Sequence, residues 1–283
     1  MLRSLFSAIS GLRANQFMLD VTGNNIANAN TAGYKSSNVV FQDTLSQMLT
    51  AGAAPNATNG GTNLIQVGLG VQVGGVSTNF GQGSAQTTNK ATNLMISGDG
   101  FFEIRRGNED LFTRAGAFDF DSNGNLVTPD GDVVQGYPSD GAGGINTGAA
   151  PTDISIPAIA ADNSANPLKS YNIGSDGIIT GVYADGTKTP LFQVALADFA
   201  NPPGLDKVGD TAFRVSTNSG APQVGVPGAG RLGKLMGGAL EMSNVDLAQE
   251  FTNLIIAQRG FQANSRVITT SDQILQDLVD IKR

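Results

Sequence analysis

The sequence predicts an α+β fold, with helices at the two ends of the chain pairing as a coiled-coil-like arm and a mostly antiparallel β domain between them. Three observations carry this. Apolar residues near both ends recur at alternating steps of four and three, the spacing of one helix face. The middle of the chain mixes aromatic and β-branched residues over strand lengths. Asp-Gly and Asn-Gly pairs punctuate that middle, and both residue types tolerate the positive φ of tight hairpin turns.

Residues 1–36 read as an N-terminal helical arm. Leu5, Ile9, Leu12, Gln16, Leu19, Gly23 and Ile26 form a heptad-like seam, interrupted at Gln16 and Gly23. Thr31, Ala32 and Gly33 predict its stop, with Gly33 suited to a left-handed cap. Residues 37–75 read as an extended connector, since TAGAAPNATNGGTN (50–63) is small, polar and Gly-rich. Residues 76–239 read as the β-rich domain. Strand character is strongest around Phe101–Ile104, Phe112–Phe120, Ile178–Tyr183 and Leu191–Phe199, with turns expected at Asp99, Asn123, Asp130, Asp176 and Asp185. Pro202–Pro203 and residues 219–230 read as loops.

Residues 240–283 read as a C-terminal helical arm. Its seam runs through Leu247, Phe251, Leu254, Gln258, Phe261, Ser265, Ile268, Asp272, Leu275 and Val279. Ser243 followed by Asp246 resembles a capping box, and only Gly260 weakens a helix able to span about 55 Å. Matching periods at opposite ends of the chain point to pairing of the arms; the alternative is that each helix caps the β domain separately. Neither seam completes a core by itself. Leu5, Ile9, Leu12, Leu19, Ile26, Leu247, Phe251, Leu254, Phe261, Ile268 and Leu275 are therefore the candidate self-assembly residues.

Composition removes much chemistry. The 283 residues include no Cys and no His, so thiolate catalysis, disulfides, the usual zinc sites and the commonest general base are absent. Only 14% of residues are charged, against roughly 25% in a typical soluble domain. Such a weakly charged surface can pack against copies of itself with little repulsion. The net charge of −7 comes without a basic patch, which argues against nucleic acid as a partner. No run of 18 apolar residues marks a membrane span. The amphipathic N-terminus lacks the features of a cleavable secretion signal, so sequence logic alone would place the protein in the cytoplasm.

The most tempting site is Asp119, Asp121, Asn123, Gly124 and Asp130, which nearly fits a calcium loop. Asp130 stands where a bidentate Glu is expected, and the flanks read as strands rather than helices. A hairpin turned at Asn123–Gly124 is the better reading, and no metal, cofactor or catalytic residue is expected. GLGVQVGG (68–75) is not a phosphate loop, because it neither matches that pattern nor opens a helix. The classes left are a structural polymer subunit, a carbohydrate-active or calcium-dependent secreted β protein, and a binding module dimerised through its coiled coil.

Longer motifs then narrow the choice. GNNIANANTAGYKSS (23–37) closely resembles the N-terminal signature of the flagellar rod and hook protein family, carried by Asn24, Asn25, Asn28, Thr31, Gly33 and Tyr34. The stretches 67–104 and 112–137 resemble that family's β domain, and 238–278 resembles its C-terminal helix. Within the family, the opening MLRSLFSAISGL, the block GGTNLIQVGLG (60–70) and the ending from Ser243 are most similar to hook proteins, particularly short Gram-positive forms. The length also suits the distal rod, since many hook proteins carry an extra outer domain and 138–172 has room for a small insertion at most. The resemblance implies a helical homopolymer with paired terminal helices lining an inner tube around an export channel. It further implies export by the flagellar type III apparatus without a cleavable signal, and an extracellular place in the hook or basal body. The implied partners are self, the distal rod protein, the hook cap and the hook–filament junction proteins.

Overall fold

The computed structural model describes residues 2–52, 54–55, 60–140, 144–156 and 168–281. Helix α1 spans Leu2–Ala27, helix α2 spans Leu247–Asp280, and among the described residues 21 strands lie between them. The strand pairs are antiparallel throughout, as the α+β expectation requires. The chain forms two compact units, one of residues 1–27, 37–79 and 245–283, the other of residues 28–36 and 80–244. It therefore passes between them at 27/28, 36/37, 79/80 and 244/245.

In the first unit α1 and α2 pair antiparallel. Gly11 lies against Asn264, Gly260 lies against Asn15, and Asn25 Nδ2 donates to Glu250 Oε1 at 3.1 Å. Numbers rise along one helix as they fall along the other. Gly260 weakens the helix as an isolated segment, but here it makes room: a Cβ would stand 2.7 Å from Asn15 Oδ1. Helix α2 begins at Leu247, with Asp246 as its N-cap accepting from the amides of Ala248 (2.9 Å) and Gln249 (3.2 Å). The cap is thus Asp246 itself and not Ser243, because only a side chain immediately before the first turn reaches its free amides. The segment read as a connector forms two antiparallel ribbons. Ser37–Asp43 pairs with Val71–Thr78, and Ser46–Thr50 pairs with Ile65–Gly68.

In the second unit the main sheet orders its strands Leu168–Ile173, Ile178–Tyr183, Lys188–Val194, Val133–Pro138, Phe101–Arg106, Glu109–Thr113, Ala212–Arg214 and Asp206–Gly209. Adjacent residues of a strand point to opposite faces. Phe102 accordingly enters a core with Ile104, Leu111, Phe118 and Leu126, while Phe101 enters a second core with Phe112, Phe199 and Phe213. Asn123–Gly124, Asp130–Gly131, Asp176–Gly177 and Asp185–Gly186 each turn a hairpin, with the glycines at positive φ. Asp99–Gly100 does not: the strand before it, Leu94–Ser97, pairs with Lys234–Gly237 instead of with Phe101–Arg106. Of the segment 138–172, residues 141–143 and 157–167 lie outside the described residues. Its Ile154 and Ile156 are buried in the main core, so this described part belongs to the β-rich unit.

Glu103 shows what burial does inside this sheet. Burial, helped by the negative charge of Asp110, pushes its carboxyl up to about 7. Among the described residues its Oε2 has no hydrogen-bond partner. The unfolded chain ionises this group near 4.5, so between 4.5 and 7 the folded state holds a proton that the unfolded state releases. The stability this group contributes is complete below pH 4.5 and lost as pH rises through 7. Glu103→Gln is expected to remove that pH dependence and to stabilise the unit above neutrality by up to about 3 kcal/mol. Denaturant melts of parent and variant across pH 4–8 measure the difference.

Candidate assembly interface and the asparagine–glycine motif

The two helices meet through small and polar side chains. Ala8, Ala14, Thr22 and Asn25 of α1 are buried, as are Glu250, Ala257 and Ser271 of α2. The candidate assembly residues lie around this line. Leu5, Leu12, Leu19, Ile26, Leu254, Phe261, Ile268 and Leu275 are half-buried at its rim, and Ile9, Leu247 and Phe251 are exposed. Gln16, Gly23 and Gln258, which interrupt the sequence seams, are also exposed. Several other large apolar side chains are exposed: Phe6 is 67% exposed and Ile256 58%. A helix that buries its small residues and presents its large ones has its hydrophobic surface still to cover.

The motif residues do several separate things. Asn24 is exposed, whereas Asn25 is buried. Asn25 accepts from the Ser37 amide (3.0 Å), donates to the Ser37 carbonyl (2.9 Å) and reaches Glu250, so one side chain fixes the strand start against both helices. Helix α1 stops at Ala27, and Asn28 Oδ1 accepts from Thr31 Oγ1 at 3.1 Å in the turn that follows. Gly33 stands six residues beyond the helix and is not its cap. Its φ of +73° lets the backbone press on Ala115, where a Cβ would come within 2.5 Å of the Ala115 nitrogen. Its amide donates to the Glu241 carbonyl at 2.7 Å. Tyr34 offers its ring to Lys207 Nζ, 5.4 Å from the centroid.

Lys35, next to the motif, was not singled out from sequence, yet it is fully buried. Its Nζ donates to Glu241 Oε1 at 2.6 Å and to the Gly81 carbonyl at 3.0 Å. Glu241 also accepts from the Gly83 amide (2.9 Å) and from Arg114 Nη1 (3.3 Å). Arg114 lies over the Phe101 ring and donates to the Gly98 carbonyl. Burial pulls the Lys35 ammonium below its ordinary range, and the bond to Glu241 opposes it. A charge trio in a dry interior is held by its hydrogen bonds, and loss of one member strands the others.

The acidic loop at 119–130 is used up in turns. Asp121 Oδ1 accepts from the amides of Asn123 (2.8 Å) and Asn125 (2.7 Å), and Oδ2 accepts from Asn125 Nδ2. The Asn125 bonds, above all, hold its carboxyl below the usual range. Asp119 pairs with Lys90. Among the described residues no cluster of three or more metal-type side chains occurs.

Three substitutions test these packings. Lys35→Met is expected to destabilise the β-rich unit by about 3–5 kcal/mol, and Lys35→Met with Glu241→Gln by more, because the double change leaves the buried Arg114 guanidinium without its carboxylate. Ala257→Phe is expected to overpack the helical pair by about 1–3 kcal/mol. Thermal melts followed by circular dichroism, near-ultraviolet for the sheet and 222 nm for the helices, report each loss.

Comparison with known proteins gives this geometry its setting. The Flagella basal body rod protein model matches residues 5–35, the Flagellar hook protein FlgE/F/G D1 domain model matches 95–181, and the Flagellar basal body rod FlgEFG protein C-terminal model matches 236–281. The flagellar basal-body rod protein FlgG of Bacillus subtilis (strain 168) is 47% identical over 284 aligned positions, covering all of both chains. The flagellar hook protein FlgE of Borreliella burgdorferi is 31% identical over 441 positions, again covering both. FlgG of the same organism is 34% identical over 287. The three matched stretches coincide with α1 and its motif turn, the heart of the sheet, and α2, and with full-length relatives at this identity the chain belongs to the flagellar rod and hook protein family.

Proposed function

We propose that this protein is a structural subunit of the distal rod of the flagellar basal body, polymerising with copies of itself, and that it is not an enzyme. The observation that carries rod over hook is length in register. The FlgG relative aligns over 284 positions with this chain of 283 residues, whereas the FlgE relative needs 441. That hook protein therefore holds long stretches with no counterpart here. The opening and closing motifs resemble hook proteins, so the hook is the second reading, and the FlgE match supports it. The full-length FlgG matches favour the rod.

The helical pair supports self-assembly. The buried centre of its intramolecular seam is small and polar, with Ala8, Ala14, Thr22, Asn25, Glu250, Ala257 and Ser271, while Phe251, Ile255, Ile256, Ile274 and Leu278 are exposed. Fully covering one such side chain is worth roughly 1.5–3 kcal/mol. In a polymer the gain repeats at every subunit, and a contact joining two different surfaces propagates when the rotation it imposes does not close a ring. Torque then passes through a polymer whose inner shell is continuous packing. Export through the type III apparatus and neighbours of the same family along the axis complete the reading.

Labelling of isolated hook–basal bodies with an antibody to the chain tests the assignment: label on the rod is expected, label along the hook overturns it in favour of the second reading, and no label refutes both. Phe251→Asp and Ile255→Asp, at exposed positions, are expected to leave monomer stability within about 0.5 kcal/mol of the parent while abolishing polymerisation and motility. Normal motility of the double variant would remove these faces from the assembly.

A further inference from the structure

We propose that the last turns of α2 in one copy seat in a groove on the flank of α1 in the next copy, with Asp277 of the first against Arg13 of the second. This rests on the self-polymerisation reading and names the contact.

The groove lies within the first unit, between α1 and the strand Val71–Thr78, and has a volume of about 460 Å³. Phe6, Ile9, Ser10, Arg13, Phe17 and Val73 line it. Along α1 the helical members follow the spacing of one helix face, with Arg13 between two phenylalanines. The floor is built: the Val71 amide donates to Ser10 Oγ at 3.2 Å, so strand and helix are joined beneath it. Phe6, Ile9, Phe17 and Val73 are all exposed.

The complementary surface has the same spacing. Ile274, Asp277, Leu278 and Ile281 stand at i, i+3, i+4 and i+7 and share one face. All four are exposed, Ile281 at 85%. An apolar strip with one acid thus matches an apolar groove with one base.

The charges have no other use among the described residues. Every ion pair there joins residues of the β-rich unit. Arg13 and Asp277 are in none, although both lie on the surface of the helical unit. Nor can the strip fill its own groove. Gly11 lies against Asn264, and Asp277 is thirteen residues further along α2, about 20 Å away along a straight helix. The strip that fits the groove is therefore that of a second copy. Because strip and groove are different surfaces, each copy offers one and fills another, and the contacts continue as an open helical polymer wherever the rotation between copies does not close a ring.

The absence of cysteine from this chain makes the test clean, since the introduced thiols are the only ones it carries. Arg13→Cys with Asp277→Cys, expressed as the full chain in cells lacking the native copy, is expected to give an oxidation-dependent ladder of dimers and higher oligomers from isolated basal bodies. Each single variant should give no ladder. An intramolecular bond is barred, because disulfides need Cα atoms within roughly 7 Å. In parallel, Arg13→Asp and Asp277→Arg should each abolish motility, and the two together should restore it. Motile cells whose double-cysteine chain gives no ladder, or a charge swap that fails to rescue, would overturn this contact while leaving the rod reading intact. A parent chain that forms no polymer would refute the self-assembly reading itself.

Discussion

Glu241 is where the chain's path is tied. The backbone passes between the two units four times, and three of the four crossings lie within a few residues of this carboxylate or of its partners. Lys35 stands just before the crossing at 36/37, Gly81 and Gly83 just after 79/80, and Asn244 at 244/245. Lys35 and the Gly83 amide both donate to Glu241, and Asn244 donates to the Gly81 carbonyl while accepting from the Ser36 amide. Three segments distant in sequence are thus fastened by one hydrogen-bond network centred on the buried Glu241. A hydrophobic cluster could supply as much stability, but would not fix which carbonyl meets which amide.

The helical unit is specified by different means. Its inner line of Gly, Ala and Asn sets register through shape: Gly11 admits Asn264 and Gly260 admits Asn15. Asn25 and Glu250 add a polar lock at the end nearest the strand start. Such a seam fixes one antiparallel alignment while burying little apolar surface, since the large side chains are on other faces. Stability of the pair and coverage of its outer faces are therefore linked, and whatever binds those faces stabilises the paired helices by mass action.

This division explains what was legible in the sequence and what was not. Period and turn chemistry gave the helices, the antiparallel middle and four of five hairpins, because those signals are local. Gly33 misled because positive φ was assigned to a helix cap, when close approach to Ala115 demands it. The hairpin at Asp210–Thr211 carries no Asp-Gly or Asn-Gly pair; its glycine, Gly209, stands before the turn residues. Both residues adopt positive φ, at 53° and 56°, and are held by Arg106 on Asp210 and by Thr113 Oγ1 donating to the Thr211 carbonyl. The heptad steps found the helices but not the centre of their contact. A heptad argument assumes that the largest apolar residues face the partner, whereas Ala257 and the glycines do so here. Lys35 was invisible because a lone lysine after a turn normally reads as solvated.

The inverted helical pair also bears on when assembly occurs. Exposed Phe6, Ile256, Ile274 and Leu278 would make any long-lived monomer prone to indiscriminate sticking. Two features oppose that. Arg13, Arg259, Arg266, Asp272, Asp277 and Asp280 lie on the surface of these helices, so a wrong contact strands a charge against an apolar strip. On the self-assembly reading, the polar inner seam leaves the pair dependent on its neighbours for full stability, so an unassembled arm opens at low cost. On the self-assembly reading the correct contact is then the one that covers the apolar strips and pairs the charges in a single step. A subunit so built is ordered by the end of the growing polymer it joins, while the sheet, closed around its own two cores and the Glu241 network, needs no such help.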